Sequence, residues 1–129
     1  MPNKVKSYVI NSYEWLMPTG DANKILILYS ISDNEQGNQN VKDLSIVIKL
    51  SRTAETNLAA KNEIDKAKVI IAYLREKIEE AIINGTELPS EMPITSYDNS
   101  FPANPNILEL RLGEWNKVII KRNMGFSSS

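Results

Sequence analysis

Between residues 59 and 85, in AAKNEIDKAKVIIAYLREKIEEAIING, apolar side chains recur at Ala60, Ile64, Ala67, Ile71, Leu74, Ile78 and Ala81. The steps alternate between four and three, which places all seven on one face of an α-helix. Ile70 and Ile82 widen that face. A helix with one apolar face must bury it, so the fold has to supply a surface for it. Thr53 is read as the N-cap, its hydroxyl accepting from a free N–H of the first turn. Glu55 sits favourably at the positive end. Asn84-Gly85 is the stop, because glycine takes the left-handed position after a helix without steric cost. The predicted helix covers about 54–84, roughly 30 residues and about 45 Å.

The surface it needs is found in runs with a period of two. Val5 to Trp15 reads as a strand with imperfect alternation, followed by the turn signal Pro18-Thr-Gly-Asp21. Lys24 to Ser32, KILILYSIS, carries Ile25, Ile27, Tyr29 and Ile31 on one face and Leu26 and Leu28 on the other. A strand apolar on both faces belongs in mid-sheet. After the polar connector Asp33 to Asn40, Leu44, Ile46, Ile48 and Leu50 alternate with Ser45, Val47 and Lys49. That is the pattern of a strand buried mainly on one face. Ile107 to Leu112 and Trp115 to Arg122 are expected to form a hairpin around Gly113-Glu114. Gly85 to Asn106, with prolines at 89, 93, 102 and 105, reads as an ordered arm lying across a surface, because Leu88, Met92, Ile94, Tyr97 and Phe101 punctuate it. The expected fold is α+β: an antiparallel sheet of about five strands, in order β-β-β-α-β-β, backed by one long amphipathic helix. One domain spans 1–122, and 123–129 is an expected disordered tail.

The helix outruns its strands, since nine residues of strand reach only ~30 Å. Its surplus has to overhang the sheet or meet something else. Leu58, Val69, Ala72 and Ile83 fall on the side opposite the seam and form a second apolar patch. Acidic residues crowd the helix C-terminal half, where they oppose the macrodipole. An antiparallel neighbour would set basic halves beside acidic ones, and the heptad-like spacing permits such a pair. A homodimer or higher oligomer touching through Leu58, Val69, Ala72 and Ile83 is therefore expected.

Composition narrows the chemistry. The 129 residues include no cysteine and no histidine, and net charge is −1. Disulfides, thiolate chemistry and Cys-based zinc sites are excluded, along with the commonest general base. Absent cysteine suits a cytoplasmic protein. Met1 to Leu16 has no continuous apolar core of the signal-peptide kind, and no run approaches a membrane span, so no membrane partner is expected.

Chemistry or ligand binding would have to use the remaining residue types. Paired carboxylates would need a defined separation, and Asp33, Glu35, Glu109 and Glu114 show none. DNEQGNQN lacks the acid that an EF-hand loop requires at position twelve. No metal site and no cofactor follow from the sequence. Arg52, near the helix start, could hold an anion. Trp115, Lys117 and Lys121 share one face of the last strand, with Lys6, Tyr8 and Lys49 on others, a composition able to stack single-stranded bases. Outside 55–87, however, ten basic residues face nine acidic ones, which is poor for tracking phosphates. Met92, Tyr97 and Phe101 in the proline-rich arm could anchor a partner. The reading is a non-enzymatic binding protein that occupies or sequesters a protein or a small anionic ligand, a small microbial or viral accessory protein in style. A single-strand nucleic-acid binder is the alternative, and a carboxylate-dependent hydrolase comes third.

Overall fold

The computed structural model describes residues 4–19, 22–57, 62–95 and 108–121. The chain runs β1 (Lys4–Thr19), β2 (Ala22–Ser32), β3 (Lys42–Ser51), α1 (Arg52–Asn57), α2 (Glu63–Asn84), β4 (Glu91–Ile94) and β5 (Asn116–Ile120). The strands form one sheet in the order β4-β3-β2-β1-β5. It is mixed, curled into a half-barrel, and paired with one long helix.

β2 occupies the middle, as its two apolar faces required. Ile25, Ile27 and Tyr29 are buried on the core face together with Ile46, Ile48 and Leu50 of β3. Their register is direct, with Ile25 opposite Ile48 and Ile27 opposite Ile46. The imperfect alternation of β1 has a local cause. Its register against β2 shifts between Ile10 and Ser12, so Asn11 is an extra residue. Tyr8 and Ile10 before the bulge, and Tyr13 and Trp15 after it, consequently share the core face. A bulge of this kind resets the side-chain phase and bends the strand.

The sheet is antiparallel from β3 through β5, but β4 adds to β3 in parallel, with Val47 opposite Glu91 and Leu50 opposite Ile94. This corrects the all-antiparallel expectation. The chain leaves the end of β3, crosses through the helices and returns in the same direction, as a strand–helix–strand connection must. The proline-rich arm thus supplies an edge strand, and Pro93 is tolerated there because an edge leaves one N–H row unpaired.

The single helix is also corrected. Asn62 caps α2, its side-chain oxygen accepting from Asp65 N–H at 2.8 Å. Ser51, not Thr53, caps α1, accepting from Ala54 N–H at 3.1 Å. Asparagine and serine are strong N-caps, and each begins its own helix. The C-terminal stop holds. Gly85 adopts φ 69°, its N–H reaches Ile82 O, and Thr86 N–H reaches Ala81 O at 2.9 Å. That is the Schellman pattern.

A hairpin from residues 107 to 122 does not form among the described residues. β5 pairs with β1 instead, and Leu108 to Leu112 carry no strand. Gly113 N–H donates to Ile10 O at 2.9 Å, while Leu108 and Leu110 pack on the core. The turn signal at Gly113 is real, with φ 81°, but it redirects the chain onto β1 rather than back on itself.

α2 buries a wider arc than the seam alone: Ala67, Ile70, Ile71, Leu74, Ile78, Ala81 and Ile82, and also Val69. Val69 is 0 % exposed and belongs to this chain's core, which removes it from the expected oligomer surface. The curl of the sheet explains the difference, because a half-barrel reaches round the flank of a helix where a flat sheet would leave it bare. Ile64, expected in the seam, is exposed. Leu58, Tyr97, Phe101 and the tail 123–129 lie outside the described residues. No helix among the described residues is long and apolar enough to cross a membrane.

The connector between β2 and β3 is built rather than loose. Asn34 Oδ1 accepts from the N–H groups of Gly37 and Asn38, and Ser32 Oγ donates to Gln39 O. The loop folds against the opposite edge of the sheet, where Gly37 lies under the indole of Trp115. With φ 77° and no room for a Cβ, position 37 requires glycine twice over. Gly37→Ala is expected to lower stability by about 1–3 kcal/mol in urea denaturation, from strain plus overpacking. Combined with Trp115→Ala, it should cost clearly less than the sum of the two single changes, because the clash is then gone.

Candidate functional site

A cavity of about 490 Å³ opens where the C-terminal end of α2 meets β2 and β3. Tyr29, Leu44, Ile78, Ile82 and Leu88 give it apolar walls. Each wall has a local reason. Tyr29 and Leu44 are core-face residues facing each other across β2 and β3. Ile78 and Ile82 are one helical turn apart, and the turn at Gly85 brings Leu88 back over them.

The rim is charged but balanced. Lys6 pairs with Asp33 at 3.4 Å and Lys42 with Glu87 at 2.8 Å. The Lys42 ammonium holds the Glu87 carboxyl below its ordinary range, by hydrogen bond first and charge second. The pair is well exposed, so it adds little stability. The last turn of α2 contains no basic residue, which leaves the partial negative charge of its carbonyls uncompensated.

The edge of the sheet continues past the cavity. β4 begins opposite Val47, whose N–H donates to Ser90 O at 2.9 Å. A second, more open hollow of about 450 Å³ lies on the other side of β3, lined by Asn11, Leu28, Asp43 and Ser45. Tyr29, Leu44 and Ser45 line both hollows. Asn11 Nδ2 donates to Ser30 Oγ at 2.9 Å, and Ser30 Oγ donates to Asp43 Oδ1 at 2.6 Å.

Along α2, Arg75 is the other unusual group, only 7 % exposed. Its Nη2 donates to Leu110 O at 2.5 Å and Arg111 O at 3.2 Å, and its guanidinium lies 6.0 Å from the Tyr8 ring centre. Nε and Nη1 are buried with no hydrogen-bond partner. Tyr8 in turn donates to Glu79 Oε2 at 2.5 Å. Arg75 thus staples the 108–112 segment to the helix. The sequence carries a signal for this, since Arg75 adjoins Leu74 and lies between Ile71 and Ile78 of the seam.

Residues singled out from the sequence are scattered. Met92 is half-buried on β4 against the core, and Arg52 is the exposed first residue of α1. Trp115 covers Gly37, Lys117 pairs with Glu35 at 3.7 Å, and Lys121 is exposed just past β5. None of these lines the cavity. Tyr8 is fully buried, while Lys6 and Lys49 are paired to Asp33 and Glu91. Among the described residues no group of three or more metal-ligating side chains comes together. No protein-family model, curated protein or solved structure matches the chain, so the reading of this site rests on its own geometry.

Burial pushes the Tyr8 phenol up to about 12; the hydrogen bond to Glu79 and that residue's charge add to the rise, and Arg75 opposes it. The folded state therefore holds this proton more tightly than the unfolded chain, whose tyrosines titrate near 10. The linked stability is complete below about pH 10 and declines as pH rises toward 12. Denaturant midpoints measured across that window should fall. Tyr8→Phe should flatten the fall, leaving the share of Tyr29, whose phenol is raised by burial and then by Glu87.

Proposed function

We propose that the chain is a non-enzymatic, cytoplasmic binding protein whose partner occupies the cavity between α2 and the edge of β3. The observation that carries this is the cavity itself. Its size falls in the range of ligand sites, and it combines apolar walls with a few polar groups at the rim. Of the two partners expected from sequence, a protein segment has better support than a small anion. Two lysines at the rim are offset by Asp33 and Glu87, and the helix end beside them disfavours negative charge. The nucleic-acid alternative has less support, because its aromatic Tyr8 is under the helix and Lys6, Lys49 and Lys117 are paired. The hydrolase alternative has less support, because the two carboxylates among the described lining residues, Asp33 and Glu87, each face a lysine.

Native mass spectrometry of gently purified protein should reveal a reproducible retained mass. Ala81→Leu, which projects into the cavity, should abolish it while leaving the far-ultraviolet circular dichroism unchanged. A chain that is always bare, or a mass insensitive to Ala81→Leu, would sink the reading.

We infer, on narrower support, that the chain also associates with itself. Ile83 is 53 % exposed near the acidic end of α2, Ala72 is half-buried, and the last turn has no basic residue. A dilution series in analytical ultracentrifugation should show mass action between dimer and monomer, with Ile83→Lys shifting it toward monomer. Constant monomer mass at all concentrations would end this reading.

A further inference from the structure

β3 is ten residues long and β4 only four. Their pairing starts at Val47, and Val47 N–H points at the β4 side of the strand. In a strand every second residue presents its backbone groups to the same edge. Ser45 and Asp43 therefore turn their N–H and C=O groups to that edge too, and among the described residues no strand stands beside them. An unpaired stretch of this kind is a template for an added strand.

What distinguishes this stretch from an ordinary edge is the pair of hollows. The 490 Å³ cavity lies on its helix side and the 450 Å³ hollow on its outer side, and Leu44 and Ser45 line both. A strand laid along the edge sends successive side chains to opposite faces. One side chain would enter the cavity, against Tyr29, Ile78, Ile82 and Leu88, and the next would enter the outer hollow. Recognition by strand addition works in this way, with main-chain hydrogen bonds giving affinity and alternate pockets giving selection.

The two hollows ask for different chemistry. The helix-side walls are apolar and the rim charges cancel. On the outer side the Asp43 carboxylate is held by Ser30 Oγ and has no ion pair among the described residues. Leu28 lies beside it, 42 % exposed. A lysine or arginine places its aliphatic stem on such a surface and its charge on the carboxylate. We propose that the β3 edge at Asp43 and Ser45 is a strand-addition site for an extended peptide of a partner protein, with apolar side chains alternating with basic ones. This rests on the cavity reading above and names its occupant.

The test uses the full chain, 15N-labelled, and three capped heptapeptides of defined sequence. One alternates valine and lysine, one alternates valine and glutamate, and one is the valine–lysine peptide with alternate backbone nitrogens methylated. The valine–lysine peptide should bind saturably, shift the Ala81 and Ile82 resonances, and slow hydrogen exchange at the Asp43 and Ser45 amides at least tenfold. The glutamate and N-methyl peptides should bind at least tenfold more weakly. Asp43→Asn should weaken the lysine peptide about tenfold and leave the valine–glutamate peptide no weaker. Ser45→Pro, which removes the edge-facing N–H, should abolish binding, while Ser45→Ala, which removes the hydroxyl and keeps the N–H, should leave binding within about threefold. If that variant fails to fold, the N-methyl peptide carries the same test on the native chain.

Shifts at Ala81 and Ile82 with unchanged exchange at Asp43 and Ser45, or equal binding of the N-methyl peptide, would overturn strand addition and leave the cavity reading standing. Binding of none of the peptides overturns the proposal. The cavity reading then stands or falls on the retained mass and its loss in Ala81→Leu. Concentration-dependent protection of the two amides without peptide would assign the edge to a second copy and likewise overturn it.

Discussion

The extra residue at Asn11 is the constraint on which the rest of the structure depends. Without it, the alternation that buries Tyr8 and Ile10 would continue to Ser12 and Glu14. A one-residue slip exchanges the two faces of a strand. The long first strand would then face the helix with a hydroxyl and a carboxylate, and burying an unpaired carboxylate costs several kcal/mol or forces its protonation. The bulge restores Tyr13 and Trp15 to the core and bends β1, so that the sheet closes round α2 instead of lying flat against it. Trp15 completes the closure, its Nε1 donating to Glu63 O at 3.2 Å where α2 begins. The bulge also turns the Asn11 amide outward, into the Ser30–Asp43 group beside the open edge.

Curling explains why α2 has so few free faces. Seven of its seam and flanking apolar residues would suffice for a flat sheet, but Val69 and the guanidinium of Arg75 are enclosed as well. For Val69 this adds stability, roughly 1.5–3 kcal/mol for a buried aliphatic side chain. For Arg75 it has a cost, since each buried polar group without a partner forfeits about 1–3 kcal/mol. Two carbonyls and the Tyr8 ring offset part of that, and in return the 108–112 segment is fixed where no strand pairing could hold it.

Much of the local structure was legible in the sequence, and most of the pairing was not. Ile25, Ile27, Tyr29 and Ile46, Ile48, Leu50 announced β2 and β3 because burial on one face imposes a period of two. The seam from Ala67 to Ala81 announced α2, and Gly85 its end. Periodicity says which face is buried and nothing about which strand lies alongside. Hence β5 was assigned a neighbour in sequence when its partner is β1, and the arm hid β4, whose four residues include a proline. The break before α2 was legible in principle, since Asn62 followed by Glu63 and Asp65 is a good helix start. The apolar spacing continues through it and masks that start. The cavity was not legible. It is the space left between elements, and its walls at Tyr29, Leu44 and Ile78 carry no signal beyond that of core residues. Aromatic and basic residues carry the stronger sequence signal, but the fold uses Trp115 and Lys117 to pin a loop.

The open edge and the helix-side cavity both border the segment that joins α2 to β4. Past Gly85 the chain has to climb from the helix to the sheet within a few residues, and Pro89 lies at the end of that climb. Its missing N–H falls on the row that faces away from β3, as that of Pro93 does, so its effect is to fix the local backbone rather than to remove a ladder bond. The ladder begins at Glu91, and among the described residues no strand pairs with β3 over Asp43 to Ser45 on that edge. Sheets usually guard such edges with charge. Here Lys42 and Lys49 are both neutralised by partners on the same side, Glu87 and Glu91, whereas Asp43 keeps its carboxylate toward the outer hollow. A single acidic guard repels acidic strands and admits basic ones, so the same side chain that protects the edge from indiscriminate pairing also selects what is allowed to pair.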